Sequence, residues 1–139
     1  MIGYAEKEVF TDQEKALWVR AVRLVEFAPY FDGTNEPIRC HELARAVGAV
    51  LNLEHEDGRF GFVEHTWLWT TPREPRLTPW VLPNVLDVYT PGSMPQVQLV
   101  HMANGLPHRY SLQCVSALDV RHDIVGRLVR VFQEDMKSW

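Results

Sequence analysis

Apolar residues recur at helical spacing in three stretches of this chain, and residues between the second and third stretch alternate with the two-residue period of strands. The first stretch follows Thr11-Asp12-Gln13-Glu14, where Thr11 and Glu14 stand at the spacing of a capping box. Ala16, Val19, Val22 and Phe27, with Leu17, Leu24 and Val25 beside them, then form a broad apolar stripe that should end near Pro29. A second helix is expected after the turn-rich run Asp32 to Pro37, with Thr34 or Asn35 as its cap, Pro37 in its first turn and Asn52 near its end. Leu43, Val47, Val50 and Leu51 give its apolar face, and Cys40 stands three residues before Leu43 on the same side. The small residues Ala44, Ala46, Gly48 and Ala49 keep this helix slim, so a sheet can approach its backbone closely.

Glu56-Asp57-Gly58 reads as a turn, and Arg59 to Thr70 as the strand that follows it. Along that strand Val63, His65, Trp67 and Trp69 share one face while Phe62, Glu64, Thr66 and Leu68 share the other. Neither face is wholly polar, which suits a central strand. Val85 to Tyr89 repeats the pattern, with Val85, Asp87 and Tyr89 together, and the segments Gln96–Val100 and Tyr110–Val115 are further strand candidates. A closing helix begins at Asp119 or Asp123, with Ile124, Leu128, Val131 and Phe132 inward and Arg127, Arg130 and Glu134 outward. Helices first, a sheet in the middle and a final helix predict an α+β domain.

Composition narrows the function classes. The 139 residues are 46% apolar, enough for one packed core, and the net charge of −4 supplies no positive field for nucleic acid or anionic lipid. No apolar run approaches the roughly 20 residues that span a bilayer, and the opening residues lack a basic stretch followed by an apolar core. The expectation is a soluble, cytoplasmic protein that binds neither nucleic acid nor membrane. Two cysteines, Cys40 and Cys114, are too few for a disulfide framework, so free thiols are the default.

Three polar residues stand in apolar surroundings: Cys40 at a helix start, His65 in one strand and Asp87 in another. Unmet backbone N–H groups at a helix start favour a thiolate. An imidazole whose direction is fixed by the pleat can take and return the proton, and a carboxylate can hold the second ring nitrogen and select the tautomer. The helix, strand, loop and returning strand between them allow His65 and Asp87 to become cross-strand neighbours. Each has a structural alternative. Cys40 can be a small buried hydrophobe, His65 a hydrogen-bonded core residue, and Asp87 a carboxylate satisfied by the turn after Tyr89. An ionised carboxylate between Leu86 and Val88 is the hardest of the three to explain by packing, because it must be paired or hydrogen-bonded.

The blocks Arg39-Cys40-His41-Glu42-Leu43-Ala44, His65-Thr66-Trp67 and Leu86-Asp87-Val88-Tyr89 resemble the Cys, His-x-Trp and Asp blocks of the transglutaminase-like branch of papain-like cysteine enzymes. The resemblance covers Arg39 to Tyr89. It implies a papain-like core in which the cysteine starts a helix packed against an antiparallel sheet carrying the other two residues. By that likeness Cys40 is nucleophile, His65 base and Asp87 orienter, with Trp67 helping to wall the site. The reaction expected is attack on an amide or thioester, as in a peptidase, deamidase or transamidase, on a protein or peptide amide substrate and without a cofactor. The first oxyanion donor would be the Cys40 backbone N–H, with the Asn35 side chain as a candidate for the second, although capping explains Asn35 equally well. The loop from Thr71 to Pro83, with Trp80 near its centre, is the candidate for shaping substrate access.

Two rivals stand beside this reading. One is a catalytically inert binding or inhibitory protein on the same scaffold. The other is a metal-binding domain using Cys40, His41, His55, His65 and Asp87, although no Cys-x-x-Cys or His-Glu-x-x-His spacing occurs. His101, His108 and His122 are scattered, and the tryptophans read as core or site wall in the absence of a basic stripe.

Overall fold

The computed structural model describes residues 10–26, 28, 37–70, 84–88, 97–101, 110–111 and 119–139. The expectations for Phe27, Pro29, Thr34, Asn35, the Thr71 to Pro83 loop with Trp80, Tyr89, His108 and Cys114 lie outside the described residues. Helix α1 spans Asp12–Glu26 and helix α2 Cys40–Leu51. Strands β1 (His55–Phe60), β2 (Val63–Trp69), β3 (Asn84–Asp87), β4 (Gln98–His101) and β5 (Tyr110–Ser111) follow, and helix α3 (His122–Met136) closes the order. The sheet runs β4-β3-β2-β1-β5, with every paired neighbour antiparallel. This is the α+β architecture expected, with β2 at its centre.

The capping box at α1 is present in both halves: Thr11 N–H donates to Glu14 Oε1 at 3.0 Å, and Glu14 N–H donates to Thr11 Oγ1 at 3.1 Å. Its buried face, however, is Glu14, Ala21, Leu24 and Val25, while Ala16 and Val19 face solvent. Burying Glu14 rotates the helix. Its carboxylate accepts from Thr70 Oγ1 and from Asn84 Nδ2 (2.9 and 3.1 Å to its two oxygens), tying α1 to the ends of β2 and β3. Asn84 in turn meets His101 Nδ1 through Oδ1 at 2.6 Å, which gives His101 a structural partner on β4.

Two local expectations are corrected. Helix α2 begins at Cys40 with Arg39 as its N-cap, so Pro37 precedes the helix instead of occupying its first turn. The cap is Arg39 in place of Thr34 or Asn35, and Glu42, at the third helical position, accepts the Arg39 N–H at 3.1 Å. The second correction concerns Glu56-Asp57-Gly58, which lies inside β1 opposite Trp67, Thr66 and His65. The hairpin turn is at Gly61-Phe62, where Gly61 takes the positive φ of 62° that a side chain disfavours.

Alternation along β2 and β3 divides the core. Leu68, Leu86 and Val88 join Leu43, Ala44, Val47 and Leu51 of α2 and Ile124, Leu128 and Phe132 of α3 in the larger cluster. Trp67, Trp69, Val85 and Val100 form a smaller cluster with Phe60. Helix and sheet meet closely at Gly48, where a Cβ would come within 2.8 Å of both the Leu53 carbonyl oxygen and Leu68 Cδ2. Asn52 ends α2 in the left-handed conformation at φ 59°, with Leu53 N–H donating to the Gly48 carbonyl.

Candidate active site

The start of α2 is anchored from below by Glu42, a wholly buried carboxylate. It accepts from Arg39 Nη2 at 2.9 Å and from Arg121, just ahead of α3, at 2.9 Å. Arg39 also donates to the Asp119 carbonyl. Burial pushes the Glu42 carboxyl up, but the two guanidinium groups outweigh it and hold it below the usual carboxylate range. A buried acid paired this way fixes where the first turn of α2, and so Cys40, stands relative to α3.

Strand β2 brings His65 to that turn. The β2–β3 ladder covers Leu68 with Leu86 and Trp69 with Val85, and His65 and Asp87 lie just past its end. There their side chains meet: His65 Nε2 is 3.0 Å from each Asp87 oxygen, and both residues are wholly buried. A carboxylate is acceptor-only when ionised, so Nε2 carries the hydrogen and donates. The ring nitrogen that remains for the thiol is Nδ1. Phe60 packs edge-on at 5.9 Å and Trp67 at 6.2 Å from the imidazole centroid, so the ring is held by packing on both sides as well as by the carboxylate.

Cys40 is half-buried and free of any disulfide. Burial raises its pKa, but hydrogen bonding to His41 and to His65, reinforced by their charge, lowers it to about 6. For His65, burial works against the cation, and the hydrogen bonds and charge of Asp87 and Cys40 prevail and raise it to about 9. The two shifts share a cause, since thiol and imidazole each favour the charged form of the other. The structure thus pairs His65 with Asp87 directly and makes the Cys40 thiol and the His65 imidazole electrostatic partners. Trp67 lies wholly buried against the imidazole, where it supports the ring and presents no exposed face to a substrate. Among the described residues no group of three or more His, Cys, Asp or Glu side chains is disposed to hold a metal ion, which lends the metal-binding rival no support.

His41, read from the sequence only as a possible metal ligand, also borders the thiol. Its Nδ1 lies 3.8 Å from Cys40 Sγ and 2.7 Å from Thr66 Oγ1, so a second imidazole borders the thiol. The signal was a Cys-His pair at a helix start, legible only once Thr66 of the next strand is known to face it. No family model, curated protein or solved structure matches this chain. Among the described residues, no helix is long and apolar enough to cross a membrane.

Proposed function

We propose that this chain is a cysteine-dependent hydrolase or acyltransferase of transglutaminase-like type, acting on an amide or thioester, with Cys40 as nucleophile, His65 as acid and base, and Asp87 as the group that orients and charges His65. The observation that carries the reading is the wholly buried His65–Asp87 pair, under whose influence the half-buried Cys40 thiol has its pKa lowered. Desolvating an ionised carboxylate is costly, and packing alone gives no reason to place one here.

The chemistry follows from the groups present. The Cys40 thiolate attacks the carbonyl carbon, and the oxyanion develops beside the Cys40 backbone N–H, which by its position in the first helical turn has no acceptor within the helix. His65, as imidazolium, gives its proton to the departing amine or thiol, leaving an acyl-enzyme on Sγ. Water or an amine then adds to the thioester, His65 takes the proton from it, and the thiolate leaves. Water makes the protein a peptidase or deamidase; an amine makes it a transamidase. A protein or peptide amide is the substrate class that suits this scheme.

Alkylation tests it. Iodoacetamide should modify Cys40 at neutral pH at least about tenfold faster than Cys114, because a thiol with a midpoint near 6 is ionised there and an ordinary one is not. His65→Ala should remove the advantage. Equal, slow labelling of both cysteines would support the inert-scaffold alternative.

A further inference from the structure

His41 occupies a place that the three-residue scheme does not use. It follows the nucleophile directly, it is buried, and its Nδ1 is shared between Thr66 Oγ1 at 2.7 Å and Cys40 Sγ at 3.8 Å. The Thr66 hydroxyl continues to Asp57 Oδ1 at 2.7 Å, and Asp57 Oδ2 is held by Arg45 at 2.6 Å. Arg45 then closes the circuit by donating to the His41 carbonyl at 3.0 Å, one turn back on the same helix.

The direction of every hydrogen in this chain is fixed by its far end. Arg45 can only donate, so Asp57 accepts from it as a carboxylate. Thr66 has one hydroxyl hydrogen, and Asp57 takes it; toward His41, Thr66 can therefore only accept. His41 must present an N–H at Nδ1, whether the ring is neutral or charged. That N–H lies beside the sulfur.

We propose that Arg45, Asp57 and Thr66 form a relay that locks the hydrogen of His41 on Nδ1, making His41 a positioning residue whose one N–H, given to Thr66 and shared at longer range with the sulfur, favours the Cys40 thiolate and leaves His65 as the base. This deepens the acyl-transfer reading and rests on it. The division of labour is chemical: a nitrogen that already carries its hydrogen cannot accept the thiol proton, whereas His65, with Asp87 behind it, can. The thiol pKa is lowered by hydrogen bonding to His41 as well as to His65, in agreement with the geometry. Thr66 and His65 are neighbours on β2, so one strand supplies the support for both imidazoles.

Among the described residues, the charged groups on the elements packed at the start of α2 are His65 from β2, Asp87 behind it on β3, Asp57 on β1, Arg45, Arg39 and Glu42 from α2 and its cap, and Arg121 from the approach to α3. Among them Asp57 gives a test whose sign is diagnostic. In Asp57→Asn the amide oxygen stays with Arg45, the NH2 turns to Thr66, and every hydrogen in the chain reverses, so Nδ1 of His41 becomes an acceptor facing the sulfur. Removing a nearby negative charge by itself would lower the thiol midpoint; reversal of the relay raises it.

The experiment is the pH profile of Cys40 alkylation by iodoacetamide, resolved from Cys114 by peptide mass spectrometry, in the full chain. Asp57→Asn should move the midpoint up by about one pH unit, a roughly tenfold slower rate below the midpoint, with the plateau at high pH unchanged. His41→Phe should do the same, and the double variant should shift no further than either single one. His41→Asn, whose amide N–H can stand where Nδ1–H stood, should restore the native midpoint. A midpoint that falls or stays in Asp57→Asn, or that stays in His41→Phe, overturns the relay while His65→Ala still slows labelling. A native midpoint of an ordinary thiol, indifferent to His65→Ala, overturns the acyl-transfer reading and the relay with it.

Discussion

Replacing Asp87 by Asn keeps the shape of the side chain and one acceptor oxygen but removes the charge behind His65. Both carboxylate oxygens stand 3.0 Å from Nε2, and with both residues wholly buried no water can take over. A hydrogen bond to a charged group contributes about 1.5–3 kcal/mol, against about 0.5–1.5 kcal/mol for a neutral one. The difference, roughly 1–1.5 kcal/mol, corresponds to about one pKa unit. His65, raised to about 9 in the native chain, should thus titrate about one unit lower in the variant.

The sign for stability follows from the same shift. A histidine whose folded pKa is raised contributes stability that is fully present below its unfolded value of about 6.5 and is lost as pH rises through about 9. Asp87→Asn should lack about one pKa unit of that contribution, so its urea midpoint should lie furthest below the native one near neutral pH and converge with it as pH rises through about 9. The direct assay is an NMR titration of the His65 ring nitrogens. A second readout is Cys40 alkylation by iodoacetate, whose negative charge is drawn to the imidazolium, so that the rate falls as His65 deprotonates. Both alkaline limbs should move down together. A folded Asp87→Asn protein with the native His65 midpoint would refute the claim that the carboxylate sets the charge state of the imidazole.

Other perturbations test the scaffold. Gly48→Ala places a Cβ against the Leu53 carbonyl oxygen, which is backbone and cannot swing aside, and should cost about 1–3 kcal/mol in urea unfolding. Glu14→Gln removes the buried carboxylate that joins α1 to Thr70 and Asn84, and should cost about 1–3 kcal/mol at neutral pH. In the native chain burial raises the Glu14 carboxyl, but hydrogen bonds from Thr11, Thr70 and Asn84 prevail and depress it. Its stabilisation is therefore present above the unfolded value of about 4.3 and lost as pH falls below it, so Glu14→Gln should flatten the acid limb of the stability profile. Turnover of any amide or thioester substrate should follow a bell with limbs near 6 and near 9, set by protonation of the thiolate and loss of the imidazolium proton.

Much of this was legible in the sequence because the signals are local. The Thr11–Glu14 box, the helix end at Asn52 and the period of Leu43, Val47 and Leu51 are each written within a few residues, and each appears as expected. Asp87 was legible for a different reason: a charged residue inside an apolar strand must find a partner, and His65 is that partner. What the sequence hid depends on contacts between distant segments. Asp57 and Gly58 are turn formers by propensity, yet Arg45 and Thr66 hold Asp57 in a strand, and Gly58 stands opposite His65. The inward side of α1 is shared between Ala21, Leu24 and Val25 and a buried Glu14 that finds Thr70 and Asn84, and this leaves Ala16 and Val19 outside. His41 was hidden likewise, since its role exists only when β2 brings Thr66 alongside.

The most direct measurement is intact mass after exposure to an activated acyl donor such as p-nitrophenyl acetate near neutral pH, midway between the thiol and imidazole midpoints. The native protein should carry one acetyl group on Cys40, formed in a burst and released by hydroxylamine, with His65→Ala slowed by about 10²-fold or more and Cys40→Ser unlabelled. Acetylation that spreads over lysines, or that is as fast in His65→Ala as in the native chain, would contradict a thiolate prepared by His65 and Asp87.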